Sequence, residues 1–217
     1  MNRKLDSFNV HNSEQYIQVW RGKKIYDDDG HNNLVNVAQK VGNFSYIDRL
    51  IINYYKQFPS PFNSVVSIGC GLGKDLQTVK RINKGSEVYG IDTSPDVLAK
   101  AQKELPDGNF ICASATHLPF RKDAKFDTVI IGQCDNLNEE DVLKNFKHRK
   151  TMLYFTFFDP LESDNQLLYG VEFENSRRVY SNLLRRLGWN VLLDEPYNFS
   201  SDAAQFAKGG FLIAKKQ

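Results

Sequence analysis

The stretch VVSIGCGLGKDL, residues 65–76, decides the fold class of this chain. An apolar run is broken at alternate positions by Gly69, Gly71 and Gly73, and the chain then turns charged. A strand that ends in a glycine-rich turn and leads into a helix is typical of ligand-binding βαβ units, because the turn lets the backbone approach a ligand. The following helix directs its first N–H groups at the same place, which favours an anionic group. The stretch therefore predicts a ligand site.

The rest of the chain repeats the alternation of short apolar runs and helix-like segments. This alternation predicts an α/β fold of the Rossmann-like kind, a seven-stranded, mostly parallel sheet with helices on both faces. The predicted strands are residues 64–69, 87–92, 109–113, 126–132, 151–158, 190–195 and 211–216.

Three segments have apolar residues at helical spacing. The first follows the glycine turn, the second begins with Ser94 as N-cap and Pro95 at its first position, and the third ends at Gly188. Their predicted buried faces are Leu72, Leu76 and Val79; Val97, Leu98, Ala101 and Leu105; and Val179, Leu183, Leu184 and Leu187.

The N-terminal residues 1–60 differ from the rest in having no strand signal. A helix is predicted over residues 45–58, where Ser45 and Asp48 match a capping box, and another over 34–41. We therefore expect a helical cap or lid over residues 1–60 and a ligand-binding domain over 61–217. The stretch YDDDGHNN, residues 26–33, lacks the spacing of a calcium loop, so no metal site is predicted.

Composition narrows the classes of function. The 217 residues carry 28 Lys and Arg against 26 Asp and Glu, a net charge of +2, and the basic residues are scattered. No nucleic-acid footprint is therefore expected. The absence of a long apolar run or a secretion signal argues against a membrane span and predicts a cytoplasmic protein. Three cysteines, an odd number set in apolar runs, do not indicate a disulfide framework.

The glycine spacing separates two classes of ligand. A dinucleotide fingerprint, G-x-G-x-x-G, would need glycine at position 74, where this chain has Lys74, and the spacing of a Walker loop is also absent. Asp92 ends the second predicted strand about 20 residues past the turn, where a carboxylate accepts the hydroxyls of a ribose. The alternative is that Asp92 only caps the helix that begins at Pro95. The pairing of turn and carboxylate favours a ligand with a ribose.

In these motifs the sequence resembles the class I S-adenosylmethionine-dependent methyltransferases. The resemblance covers about residues 60–217. It rests on the glycine turn, on VYGIDTSPDVLAKA, on ICASATHLPF followed by KFDTVIIGQ, and on LLRRLGWNVLLDEPY. The LPF…FD stretch resembles the small-molecule branch that includes quinone, sterol and amine methyltransferases. The resemblance implies an antiparallel last strand beside the fifth, with S-adenosylmethionine as cofactor, S-adenosylhomocysteine as product and a small molecule as methyl acceptor.

The resemblance also implies roles for individual residues. The turn would line the methionine part, Asp92 would hold the ribose, Thr93 would flank the adenine, and Gln133 would face the sulfonium or the acceptor. One position departs from the family, because Ser114 stands where an acidic residue often accepts from the adenine amino group. The implied cofactor-binding residues are Gly69, Cys70, Gly71, Gly73, Asp92, Thr93, Ser114, Ala115 and Gln133.

Methyl transfer from a sulfonium depends mainly on alignment, and a general base is needed only for a protonated acceptor. The expected candidates for such a base are His31 and Tyr16 in the N-terminal segment. His117, in THLPF, is also a candidate but is interpreted as a loop histidine. Two other hypotheses stay open: a cofactor-binding or regulatory protein without turnover, and a nicotinamide-dependent oxidoreductase.

Overall fold

The computed structural model describes residues 51–121, 124–132, 139–159, 176–198 and 208–217. They form one seven-stranded sheet in the order β3-β2-β1-β4-β5-β7-β6. The strands are β1 (Ser64–Ile68), β2 (Glu87–Asp92), β3 (Asn109–Cys112), β4 (Thr128–Gly132), β5 (Met152–Asp159), β6 (Trp189–Asn198) and β7 (Lys208–Lys216). β1 to β5 pair in parallel, whereas β7 runs antiparallel to both β5 and β6. The expected α/β fold and its antiparallel last strand are confirmed.

The described helices are α1 (Lys74–Ile82), α2 (Pro95–Glu104), α3 (Glu139–Leu143) and α4 (Ser176–Arg186). α2 begins as predicted, because the Ser94 side chain accepts from the backbone N–H of Val97 at 3.5 Å and Pro95 follows it. α1 has Asp75 in its first turn and Lys80 and Arg81 in its last, an order that suits the helix dipole. Among the described residues no helix has both the length and the apolar character needed to cross a membrane.

β1 lies in the middle of the parallel sheet and is covered on both faces. Val65 and Val66 are adjacent and fully buried, and they face opposite sides of the sheet. One side packs against α3 and α4 through Val142 and Leu184. The other side packs against α1 and against Ile51 of the segment that precedes β1. Helices therefore cover both faces, as the run of apolar residues in β1 predicts.

Some predicted boundaries differ from the structure. β6 and β7 extend to Asn198 and Lys208, beyond the apolar runs, because their backbones stay paired along their whole length with one irregularity near Leu192. Residues 51–54 are helical and a turn follows, so the helix predicted over 45–58 ends early. Pro59 prevents any helix from continuing past Phe58, because the residue before a proline disfavours helical geometry. Residues 34–41, Ser45 and Asp48 lie outside the described residues.

The buried face of α4 also differs from the prediction. Val179 is 44% exposed, whereas Leu184 and Ser181 are 1% and 2% exposed. The Ser181 hydroxyl donates to the Asp194 carboxylate of β6 at 3.0 Å, so this polar residue faces the sheet. Apolar spacing alone predicts that Val179 faces the sheet, because it does not take the buried Ser181 hydroxyl into account.

Candidate functional site

The glycine turn between β1 and α1 has an unusual backbone. Gly69, Gly71 and Gly73 have φ angles of 67°, 51° and 65°, all in the left-handed region that disfavours residues with a Cβ atom. The N–H of Gly73 donates to the Cys70 carbonyl at 2.8 Å and closes the turn. The cysteine N–H donates to the Ile91 carbonyl of β2 at 3.0 Å, which ties the turn to the next strand. The glycines are therefore required by the shape of the backbone.

Asp92 lies at the carboxyl end of β2, beside this turn. Its Oδ2 accepts from the N–H of Gly71 at 3.0 Å, and its Oδ1 accepts from the N–H of Ser94 at 3.0 Å. The first bond fixes the glycine turn and the second fixes the N-cap of α2. A carboxylate has about four lone-pair sites, so two remain for a ligand. The capping and the ribose-binding interpretations of Asp92 are thus compatible.

A second carboxylate lies under the turn. Asp75, in the first turn of α1, is 6% exposed and accepts a hydrogen bond from the Ser67 hydroxyl of β1. Its Oδ1 also accepts from the N–H of Leu76 at 2.9 Å. The pair attaches the N-terminus of α1 to β1, so the N–H groups of the helix start keep their direction toward the turn.

The Cys70 side chain packs between the turn and β2, and its thiol donates to the Gly71 carbonyl at 3.7 Å. It is buried, and a Cβ atom placed on Gly90 would meet its Sγ at 2.7 Å, which puts the thiol against β2. Both the backbone and the thiol of Cys70 therefore contact the turn. The predicted contact of Cys70 with the cofactor stays a prediction.

The adenine candidates lie in the turn after β3. The N–H of Ala113 donates to the Asp92 carbonyl at 3.0 Å, so the next residue, Ser114, follows close to the end of β2. Ser114 is half-buried, Ala115 is buried in the core cluster, and Thr93 is exposed. The structure thus brings Asp92, Thr93 and Ser114 to one edge and places the Ala115 methyl group in the core.

One polar residue at this edge has no signal in the sequence analysis. Thr156 of β5 pairs with Gly132, the last residue of β4, and is 1% exposed. Its hydroxyl has no hydrogen-bond partner within the part of the chain that the structure describes. A hydroxyl inside the apolar run TMLYFTFF is the feature that could have drawn attention to it.

Other predicted residues lie outside the described ones, namely Tyr16, His31 and Gln133. Among the described residues, no group of His, Cys, Asp and Glu has the arrangement of a metal site. The geometry at this edge therefore consists of a backbone turn, a carboxylate with free lone pairs and short hydroxyl side chains. Such a set has the chemistry to bind a polar molecule through hydrogen bonds.

A known family model matches the part of the chain that runs from β1 to the start of β5. Residues 65–153 match a family model described as a methyltransferase domain. The trans-aconitate 2-methyltransferase of Afipia carboxidovorans is 40% identical over 53 residues, 24% of this chain and 21% of the relative. The demethylmenaquinone methyltransferase of Thermotoga maritima is 36% identical over 67 residues, 31% and 29% of the two chains. The matched part therefore spans under a third of either curated relative.

Solved structures agree with the fold over a longer stretch. The plantazolicin methyltransferase BpumL in complex with SAH matches with a TM-score of 0.63 at 17% identity, covering 94% of this chain and 99% of that one. The [4+2]-cyclase SpnF matches with a TM-score of 0.60 at 19% identity, covering 78% and 81%. The class I methyltransferase fold expected from the resemblance is confirmed, and proteins named for different reactions share it.

Proposed function

We propose that this chain, whose residues 65–153 match the methyltransferase domain family, is an S-adenosylmethionine-dependent methyltransferase for a small-molecule acceptor. One observation carries the proposal: the carboxylate of Asp92 is bonded to Gly71, inside a turn with three left-handed glycines. This arrangement supports the proposal, because a carboxylate that can accept from ribose hydroxyls lies next to a glycine backbone at one sheet edge.

The donor set fits this cofactor. Asp92 keeps two lone-pair sites for the two ribose hydroxyls, and the start of α1 offers N–H groups to the methionine carboxylate. A nicotinamide cofactor suits the turn less well, because its pyrophosphate relies on a third glycine where this chain has Lys74. The glycine turn is therefore proposed to bind the methionine carboxylate of the cofactor, where a dinucleotide-binding turn would bind a phosphate.

The cofactor supplies an activated methyl group on a sulfonium, and the chain's own contribution is position. Asp92 and the glycine turn fix the two ends of the cofactor, and the pair of Ser67 and Asp75 keeps the turn in place. Alignment of an acceptor with a held methyl group provides most of the rate gain in such a displacement. Proton removal by His31 or Tyr16, and contact of Gln133 with the sulfonium, remain parts of the proposal.

The acceptor side is proposed to lie over the ends of β4 and β5. Gly132 ends β4 beside Thr156 of β5, and Thr156 offers a buried hydroxyl that is unpartnered within the described residues. A hydroxyl there suits an acceptor with its own hydrogen-bonding group. We also propose a cytoplasmic setting, which the cysteine usage supports.

The first test is calorimetric titration with S-adenosylhomocysteine, with NADH in parallel. We expect binding of the first ligand alone. Asp92→Asn keeps one acceptor oxygen and should weaken binding at least tenfold, because a charge-assisted hydrogen bond is lost. Asp107→Asn removes the same charge before β3, beside Lys80, and should leave binding unchanged. Binding of NADH alone, or of neither ligand, would contradict the proposal.

A second candidate function is cofactor binding without methyl transfer, which Ser114 favours because it stands where the resembled family often has an acidic residue. Turnover separates the two. The first acceptors to try are trans-aconitate and demethylmenaquinone, because the relatives are named for them. Formation of S-adenosylhomocysteine that depends on an added acceptor supports the methyltransferase. Tight binding with no turnover on a broad panel of small metabolites supports the second candidate.

A further inference from the structure

Three polar side chains are linked in the turn that follows β3. The hydroxyls of Ser114 and Thr116 lie 2.9 Å apart, and Thr116 Oγ1 lies 2.9 Å from Nδ1 of His117. The N–H of Thr116 also donates to Ser114 Oγ at 3.3 Å, and the N–H of His117 donates to the Ser114 carbonyl at 3.0 Å. These four contacts hold the three side chains as one relay.

The inner end of this relay lies at the ligand edge. Ser114 follows Ala113, which is bonded to the Asp92 carbonyl, and it is half-buried. The outer end, His117, is exposed to solvent. The relay therefore connects a solvent-facing imidazole with a hydroxyl beside the proposed ribose site.

We propose that Thr116 and His117 are positioning residues that make the Ser114 hydroxyl a hydrogen-bond acceptor for the amino group of the cofactor's adenine. The inference rests on the proposed function, because it concerns the base of the same cofactor. The relay gives a physical reason why the Ser114 hydroxyl can accept from the adenine amino group in place of a carboxylate.

The direction of the hydrogen bonds in the relay follows from the protonation state of His117. When His117 is neutral with its proton on Nε2, its Nδ1 accepts from the Thr116 hydroxyl. Thr116 Oγ1 then accepts from the Ser114 hydroxyl, whose proton is thereby used. One lone pair of Ser114 Oγ accepts from the N–H of Thr116, and the other remains free. Ser114 can then only accept from a ligand.

Protonation of His117 reverses the relay. Nδ1–H then donates to Thr116 Oγ1, and the Thr116 hydroxyl turns to donate to Ser114 Oγ. Both lone pairs of Ser114 are now filled, and its own proton points outward. In this state Ser114 donates to a ligand, which suits a carbonyl and not an amino group.

The other titratable groups on the strands that join this turn have partners of their own. Asp92 accepts from Gly71 and Ser94, and the Cys112 thiol donates to the Thr93 carbonyl at 3.6 Å. A pH effect through the relay must therefore disappear when Thr116 is changed, whereas an effect through Asp92 would remain.

The test measures binding of S-adenosylhomocysteine and of its inosine analogue, in which a carbonyl replaces the amino group. Binding is measured at about pH 8 and about pH 5.5, a range in which an imidazole ordinarily changes charge. We expect the wild-type chain to prefer the adenine ligand about three- to tenfold at the higher pH. The preference should disappear or invert at the lower pH. Thr116→Val should remove the preference at both pH values. Thr116→Ser keeps the hydroxyl and should therefore retain the wild-type preference and its pH dependence.

The controls and the contrary outcomes are distinct. His117→Gln should lose the pH dependence, whereas His148→Gln, at another exposed histidine before β5, should behave like the wild-type chain. If the adenine preference is unchanged by pH and by Thr116→Val, the proposed role of the relay is wrong and the proposed function is unaffected. Failure of the wild-type chain to bind either ligand overturns both. The wild-type pH comparison and Thr116→Ser require no disruptive change to the fold.

Discussion

At the scale of single residues, Phe110 of β3 explains three glycines together. A Cβ atom on Gly73, Gly90 or Gly108 would lie 3.0, 2.6 or 2.9 Å from its ring. The ring therefore occupies a space between the glycine turn and β2 that is open only because Gly73, Gly90 and Gly108 have no side chains. Gly73 is fixed twice, by its positive φ and by this contact, so it acts in packing as well as at the site.

Gly90→Ala should destabilise the fold, because the new methyl group would meet both the Phe110 ring and the Cys70 thiol. We expect a loss of about 1–3 kcal/mol in the free energy of unfolding, as for other overpacked cores. Urea denaturation measures this loss. Affinity for S-adenosylhomocysteine should also fall, since displacement of the ring pushes on Gly73.

The matched control is Gly85→Ala. There the nearest atom to a new Cβ is the Asn83 side-chain oxygen at 3.4 Å, and no positive φ stands in the way. We expect a change within about 0.5 kcal/mol. Equal losses of stability in Gly90→Ala and Gly85→Ala would contradict the claim that the Phe110 ring requires a glycine at position 90.

At the scale of elements, α4 and its contact with β6 carry one face of the core. Leu184→Ala should lower the free energy of unfolding by about 2–5 kcal/mol, since the side chain is 1% exposed and leaves a cavity. Val179→Ala, on the exposed side, should change it by under about 0.5 kcal/mol. Chemical denaturation compares the two variants. A larger effect at Val179 would mean that the helix has the orientation its apolar residues predict.

α1 and α2 are joined at the surface by Glu104, which accepts from Lys74 and from Gln77. These hydrogen bonds, Lys74 first, hold the pKa of Glu104 below its ordinary value. A lowered carboxyl pKa adds stability above the ordinary value near 4.5, and that stability is lost as pH falls through the lowered pKa. Glu104→Gln should therefore flatten the fall in stability below about pH 5.

The size of this effect should stay under about 1 kcal/mol, because the Glu104 side chain is 40% exposed and solvent screens the pair. Thermal unfolding at several pH values measures it. Lys74→Gln should flatten the same region of the profile. A profile that changes with Glu104 but not with Lys74 would show that another partner sets the shift.

At the scale of the whole molecule, the proposed ligand touches the ends of β1, β2 and β3, which belong to one sheet. Binding to the folded state alone should add about 2.7 kcal/mol of stability when the ligand is at 100 times its Kd. For a chain of this length we expect a rise in Tm of roughly 5–10 °C with S-adenosylhomocysteine. Differential scanning fluorimetry measures it, and Asp92→Asn should abolish most of the rise. A rise that survives in this variant would place the ligand elsewhere.

Patterns that repeat along the chain predict most of the fold. Apolar runs such as that of β1 are continuous because both faces are buried, and Ser94 with Pro95 marks the start of α2 from local chemistry. Long-range contacts are less visible. The orientation of α4 depends on the bond from Ser181 to Asp194, and the relay at Ser114 depends on a turn that only the structure shows. The proximity of Asp92 to the glycine turn was predictable because one βαβ unit brings them together, and their role in binding stays a prediction.

The insertion of β7 between β5 and β6 has a consequence for how the chain is made. A ribosome releases β6 before β7, yet β6 pairs with the sheet only through β7 among the described strands. Until β7 has been synthesised, one edge of β5 is unpaired and β6 has no strand to pair with. An unpaired strand edge is a site of aggregation. Slow translation just before β7 would prolong this vulnerable interval, so yield on expression should depend on how quickly the last strand follows.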